Sequence, residues 1–273
     1  MIETILIATD GSEAAGAAER FGLSLASRLK ARASGFTVVE DADVRAPKDD
    51  GLTLPPFPES DVAAYHRARA EAAARRFTER ARSEGLEAAC ETAQGEADDR
   101  IVEKGQGVDL LVIGRDGKGA QVRSALIGST VDGVIRKTTK AVLVVPAGCA
   151  LQGPVVLGFD GSPGSRIAAN LAVEVAGTLG ESLHVFVDSK DKGRAVARFE
   201  EVRRLVGGLA VPVREASSTL GRPDVKLVDT ARETRGSLIV MGAFGRNRIT
   251  DYFLGSNAAA VVRTSPVAVL LAR

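Results

Sequence analysis

Tryptophan is absent from this 273-residue chain, and aromatic residues together make up only 4% of it. Surfaces that stack unpaired bases rely on aromatic side chains, so that kind of platform is excluded. Charge of one sign is also missing: 36 Lys and Arg stand against 35 Asp and Glu, for a formal net charge of +1. A dedicated DNA- or RNA-binding surface normally shows a basic excess or stripe, and there is none. Cysteine and histidine occur twice each. Cys90 and Cys149 lie far apart and, even with His66 and His184, do not make the ligand spacing of a zinc site. The cysteines read as small, partly buried hydrophobes of a reducing compartment. His66 reads as a solvated residue of a charged helix, and His184 as a packed or edge residue of a strand. No apolar run approaches the roughly 20 residues that span a bilayer. The opening stretch MIETILIATDGS has no basic segment or apolar leader. The expectation is a cytoplasmic protein that binds neither nucleic acid nor membrane.

What is present is ordinary globular composition, 45% hydrophobic and 26% charged, in a chain long enough for one large domain or two. The chain is also written twice. ILIATDGS (5–12) returns as VVLGFDGS (155–162), and DLLVIGRDG (109–117) as SLIVMGAFG (237–245). LIGST (126–130) returns as FLGSN (253–257), and KTTKAVLVV (137–145) as RTSPVAVLL (263–271). Four matches in one order define two homologous halves, 1–147 and 152–273, joined by a short turn-like linker. The second half is shorter by about two dozen residues, most simply the counterpart of the Pro-, Asp- and Gly-rich segment 41–60, which reads as a loop.

Each half alternates strand and helix. TILIAT is a continuous apolar run, as in a strand buried on both faces of a parallel sheet. The stretch after it repeats apolar residues at helical spacing: Ala17, Phe21, Leu25 and Leu29. The pattern continues through a strand in SGFTVVE, a long charged helix over 61–85 ending at Gly85, strands LEAACET, DLLVIG and AVLVVP, and helices starting near Ala97 and Ser129. The second half repeats it, with VPVREA in the place of LEAACET. Five strands per half joined by helices require right-handed crossovers. The expected fold is α/β, two tandem doubly wound five-stranded parallel-sheet domains.

In such a sheet a ligand sits beyond the carboxyl ends of the strands, where strand order reverses. Asp10 and Asp160 end the first strand of each half there. A glycine-bearing loop follows the fourth strand and runs into a helix starting at Ser129 or Ser256, which places bare backbone N–H groups at a helix N-terminus suited to phosphate. On this reading Gly242 and Gly245 let phosphates approach the backbone, Gly255 opens the helix, and Ser256 offers its hydroxyl and N–H. Arg246 is placed to neutralise phosphate or to be a solvated loop charge. Asp-Gly-Ser before a helix is equally a good turn and N-cap without any ligand.

The spacing G-x2-G-x9-G-[S/T], met by Gly242, Gly245, Gly255 and Ser256, resembles the nucleotide-binding signature of the universal stress protein family. The Asp-Gly-Ser closing the first strand and the apolar last strand resemble it too, and the resemblance covers nearly the whole chain as two tandem domains. It implies binding of an adenine nucleotide, ATP with Mg or Mn held through the phosphates. Asp160 would bond the ribose or adenine and Val185 would pack the adenine, while Gly242, Gly245, Gly255, Ser256 and Asn257 would hold the phosphates. The matching positions in the first half are Thr9, Asp10, Val38, Gly114, Gly117, Gly128, Ser129 and Thr130. That half departs from the pattern, with ten residues between Gly117 and Gly128 and with Asp116 in the loop, where negative charge opposes phosphate. Lys118 and Arg123 stand nearby to offset it. The family's domains pair through their last strands, so AVLVV (141–145) is expected to meet VAVLL (267–271) in an intramolecular pseudo-dimer, which leaves room for a further homodimer.

Three functions compete. The first is a nucleotide-dependent stress-response or signalling module, with at most slow hydrolysis, since no Ser/His/Asp set, Cys/His pair or paired carboxylates accompany the loop. An enzyme of a related nucleotide fold would need an HxGH-like or SGGxDS-like loop after the first strand, or a GxxxxGK[ST] phosphate loop. TDGSEAAG and FDGSPGSR supply neither of the first two, and Lys118 has Val112 where the third needs glycine. The remaining reading is a ligand-free pseudo-dimeric scaffold.

Overall fold

A computed structural model describes residues 1–40, 59–116, 128–207, 211–218, 221–243 and 254–273, without the side chains of 59–62. The first half runs β1 (Thr4–Ala8), α1 (Glu13–Leu29), β2 (Arg32–Val39), α2 (Glu59–Ser83), β3 (Cys90–Gln94), α3 (Ala97–Gly105), β4 (Leu110–Gly114), α4 (Ser129–Lys137) and β5 (Ala141–Val145). The second half repeats it as β6 (Val155–Gly158), α5 (Pro163–Leu179), β7 (Leu183–Asp188), α6 (Lys192–Val206), β8 (Val213–Ser218), α7 (Pro223–Glu233), β9 (Leu238–Gly242), α8 (Ser256–Thr264) and β10 (Ala268–Ala272). Loop 41–58 lies outside the described residues.

The apolar strands are continuous because both their faces are covered. In β1, Ile5 and Ile7 face a core shared with Phe21 of α1 and Phe77 of α2, while Leu6 and Ala8 face a second core with Ile101 of α3 and Val134 of α4. The strand alternation divides the same way in β5 and β10, so each core runs unbroken across both halves. Helix starts follow the expected chemistry. Ser12 and Ser162 cap α1 and α5, their hydroxyl oxygens accepting from the Ala15 and Ser165 N–H groups, and Pro163 opens α5.

The strands form one ten-stranded sheet in the order β3-β2-β1-β4-β5-β10-β9-β6-β7-β8. Within each half all pairings are parallel, and the order reverses between β1 and β4 and between β6 and β9. The two final strands meet, as expected, in the single antiparallel pairing: Val269 opposite Val144, Leu270 opposite Leu143 and Leu271 opposite Val142. The two five-stranded sheets are thereby fused, with all six of these side chains removed from solvent. Two edges differ from expectation. β3 and β8 begin later than the apolar letters of LEAACET and VPVREA do, because Ala88 and Val211 are drawn into the core under the preceding helices before pairing with β2 and β7 begins. Among the described residues no helix is long and apolar enough to cross a membrane.

Candidate functional site

The strand reversals place two mouths on the fused sheet, one per half. Because β5 and β10 are antiparallel, the mouths open at opposite ends of the strands. In the second half β6 runs into Phe159, whose N–H donates to the Phe186 carbonyl, and then into the turn Asp160-Gly161-Ser162. Asp160 accepts the Ser162 N–H at 2.9 Å, and Gly161 takes φ of +76°, a conformation open mainly to glycine. The first half repeats this: Asp10 accepts the Ser12 N–H at 2.9 Å, with Gly11 at φ +76°. Both aspartates thus shape an Asx turn and remain half-buried at the mouth.

The glycine that ends the fourth strand has a packing role. A Cβ on Gly242 would lie 2.9 Å from the Gly164 carbonyl carbon and 3.1 Å from the Ser165 nitrogen. One on Gly114 would lie 2.8 Å from the Ala14 carbonyl oxygen. The first turn of α5 or α1 therefore leans on bare backbone at these positions. The next residue, Ala243, donates to the Ala272 carbonyl and accepts the Gly255 N–H at 3.0 Å, which ties the start of α8 to the strand end. The Asp160 turn, Gly242 and Gly255 are so brought to one crevice.

The helix start shares an acid-free first turn with that of α5 but lacks its side-chain cap. Gly255 is the N-cap of α8 and makes no side-chain cap, and the first turn has no acidic residue. Ser256 and Asn257 are exposed there. Their N–H groups precede the first intrahelical bond, from Ala259 N–H to the Gly255 carbonyl, so among the described residues these donors have no backbone partner, and the helix pole carries partial positive charge. In the first half Gly128 is likewise an N-cap without a side-chain bond, before exposed Ser129 and half-buried Thr130, but Asp132 stands in the first turn. Arg136 pairs with it at 2.7 Å.

Other expected residues are placed differently. Thr9 is buried and its hydroxyl donates inward to Glu19 at 2.5 Å, so it faces the core and not the mouth. Val38 and Val185 are not equivalent. Leu157 opposes Val185 and Ile7 opposes Gly35, so the register that matches Val38 is Asp188. Val185 is 0% exposed within the strand, which corrects its expected place against a base. Asp116 is offset by its neighbour Arg115, at 3.2 and 3.3 Å. Gly117, Lys118, Arg123, Gly245 and Arg246 lie outside the described residues.

Three features escaped the sequence pattern. Glu19, fully buried on α1, accepts from Arg76 at 2.8 Å and pairs with Arg80, both on α2; Arg76 also donates to the Gly11 carbonyl at 2.9 Å. Arg115 reaches across to the second half. Arg273 follows β10 at the second mouth, its guanidinium pushed down to about 10 by burial. Burial pushes the Cys90 thiol up to about 12 and Cys149 up to about 11, so neither is a thiolate nucleophile at neutral pH. His184 is held below its usual range by desolvation and then by Arg214. It is the second residue of β7, opposite Val156 and Arg214, at the end of the strand remote from the second mouth. Among the described residues no cluster of three His, Cys, Asp or Glu could hold a metal.

Comparison with known proteins matches this chain twice, at residues 1–146 and 153–273, to the universal stress protein family. A universal stress protein of Mycolicibacterium smegmatis is 28% identical over 193 residues, covering 63% of this chain and 64% of its own length. One of Mycobacterium tuberculosis is 29% identical over 194 residues, with the same coverage. The match thus spans 64% of the length of these curated relatives. Among solved structures, a universal stress protein from Archaeoglobus fulgidus aligns with a TM-score of 0.78 at 20% identity, covering 99% of this chain and 98% of that one. At that identity the likeness speaks for the fold.

Proposed function

The chain belongs to the universal stress protein family, and on that premise we propose that it binds an adenine nucleotide, ATP with Mg or Mn, and acts in a stress response through occupancy, with hydrolysis at most slow. The second half is the stronger site. What carries this reading is the glycine-capped, acid-free start of α8, tied beside the Asp160 turn where strand order reverses. Free helix-pole amides in such a crevice suit a polyphosphate. Asp160 would take the ribose or adenine, and Gly242, Gly255, Ser256 and Asn257 would line the phosphates, with Gly245 and Arg246 assigned to the same loop by the motif. Asp10, Gly114, Gly117, Gly128, Ser129 and Thr130 are the counterparts in the first. Among the described residues no acidic cluster could hold a metal, so the metal would be held mainly through the phosphates, as Mg commonly is. The halves 1–147 and 152–273 serve as the two binding units of a cytoplasmic protein. Since β5 and β10 cover one another within the chain, any homodimer uses another surface.

The scaffold reading has one observation in its favour: Gly114 and Gly242 are accounted for by helix packing alone. Nucleotide released from the purified protein and identified by mass spectrometry, together with calorimetric titration of ATP–Mg, separates the two. Ser256→Ala removes one hydrogen bond to a charged group from an exposed position. It should weaken binding by roughly tenfold, from about 1.5 kcal/mol, and leave the fold intact. Protein that carries no nucleotide and takes up none establishes the scaffold instead.

A further inference from the structure

The two mouths carry different residues at equivalent places. Arg115 and Ala243 both follow the strand-ending glycine, and both donate their N–H to the last strand of their own half, to the Val145 and Ala272 carbonyls at 2.9 Å. The side chains diverge. Ala243 contributes none to the mouth. Arg115 grips Asp116 with Nε and Nη2, at 3.2 and 3.3 Å. Its remaining Nη1 crosses to the second half, donating to the Ser265 carbonyl at 2.6 Å and the Arg263 carbonyl at 3.4 Å. Those carbonyls end α8, the negative pole of that helix, where a cation is favoured.

We propose that Arg115 is the positioning residue that makes the first mouth tolerate an anion: it cancels the Asp116 carboxylate and is itself held in place by the second half. The inference rests on the nucleotide-binding reading. The first mouth is then a composite of both halves, whereas Ala243, at the equivalent place in the second, has no side chain that could cross. In the second half the Gly255 N–H bonds the Ala243 carbonyl, so this stretch of chain runs beside the helix cap. In the first half Arg115 and Asp116 occupy the equivalent positions after the strand-ending Gly114, two and one residues before Gly117 of the motif. An uncompensated carboxylate there opposes a polyphosphate by about 1 to 4 kcal/mol at close range, depending on how much water screens it. That corresponds to a loss of about fivefold to several hundredfold.

The test is calorimetric titration of the full chain with ATP–Mg, comparing wild type with Arg115→Ala, Asp116→Asn and the double variant. Wild type is expected to fill two sites. Arg115→Ala should weaken one of them at least fivefold and spare the other. Asp116→Asn alone should keep or tighten that site, and adding it to Arg115→Ala should restore most of the loss. A merely structural pair would behave otherwise, with Asp116→Asn harming binding and the double variant no better than Arg115→Ala. That result overturns the inference, as does unchanged binding by Arg115→Ala. If Arg115→Ala does not fold, Asp116→Asn decides by its sign. Wild type that binds no nucleotide overturns this inference together with the reading beneath it. Wild type that binds, with unaltered variants, overturns this inference alone.

Discussion

Glu19→Gln should be among the most destabilising single changes of similar volume in the first half. The carboxylate is 0% exposed and is the shared acceptor of the Thr9 hydroxyl, Arg76 and Arg80. Replacing it with an amide keeps the volume but leaves two guanidinium groups facing a neutral partner. Removing one partner of a buried ion pair costs about 3 to 5 kcal/mol. Here the arginine side chains retain 39% and 22% exposure, so water can partly compensate them and the lower figure, about 3 kcal/mol, applies. With about 2.1 cal/mol/K of unfolding entropy per residue, a cooperative 273-residue unit loses roughly 5 °C of Tm. Urea denaturation and calorimetry, each at about 0.05 M and 0.5 M salt, provide the assay. The loss should hardly change with salt, because the cluster is shielded from the ions that screen exposed pairs. Arg75 and Glu71, 67% and 66% exposed, give the contrast: breaking that pair should cost less than about 0.5 kcal/mol, and less still in high salt. A Glu19→Gln protein within about 1 kcal/mol of wild type would refute the reasoning. It would mean that the arginines rearrange to solvent at no cost.

Gly242→Ala forces a Cβ against the backbone of Gly164 and Ser165, which flexible side chains cannot relieve. It should cost about 1 to 3 kcal/mol by urea denaturation, and wild-type stability would show that α5 can move away freely. Asp109 accepts the N–H groups of Glu3 and Thr4 and the Thr4 hydroxyl, at 2.9, 2.9 and 2.8 Å, clasping β1 to β4 at their starts. The Glu3 amide bond above all, with Thr4 and then Lys140 assisting against slight desolvation, holds its carboxyl below the usual range. A depressed carboxyl adds stability that is present above its unfolded pKa of about 3.9 and is lost as pH falls through the native value. Because Asp109 is exposed and water screens it, Asp109→Asn should cost less than about 1 kcal/mol at neutral pH and nothing once the wild-type group is protonated. A gap that persists unchanged in strong acid would contradict this.

The architecture was legible because its signals are local and repeated. Continuous apolar runs such as DLLVIG gave the buried strands and Ser12 and Ser162 marked the helix starts, while the meeting of β5 with β10 was implied by the family resemblance and not by any local pattern. Edge strands were less legible. In β3 and β8 the apolar letters serve the core under a helix, and pairing begins only after them. The site was legible as a motif but not as geometry. Gly242 is recognisable as a required glycine, yet nothing in the string tells that α5 occupies the space its side chain lacks. Val185 looked equivalent to Val38 because each is a valine in the second strand, and register alone separates them. Glu19, Arg76 and Arg80 read as charges on two amphipathic helices. Their convergence depends on how α1 and α2 cross, which no local pattern encodes.

The layer beneath the two Asx turns shows where the halves have diverged. Under Asp10 lie Thr9, Glu19, Arg76 and Arg80, and Arg76 holds the Gly11 carbonyl. The counterparts of Thr9, Glu19 and Arg80 under Asp160 are Phe159, Ala169 and Val202, all buried and apolar. Arg198, which takes the place of Arg76 beside Gly161, donates to the Asp188 carbonyl at 2.9 Å. Both layers support the same turn, with glycine at φ +76° in each, so the ion cluster is not needed for the fold. A buried ion pair is in any case often no more stabilising than well-packed apolar residues of similar volume. What the charged version adds is a fixed link from α2 to the turn, made by Arg76 to the Gly11 carbonyl at 2.9 Å. The mouths above diverge in the same sense, since Arg115 and Asp116 stand where the second half has Ala243 and Phe244. Charges in the first half are thus balanced against one another both beneath the turn and just past the end of β4. Small displacements of α2 therefore bear on the first mouth alone, whereas a displacement of α8 bears on both, because its last carbonyls hold Arg115 and its first residues, Gly255 and Ser256, open the second mouth.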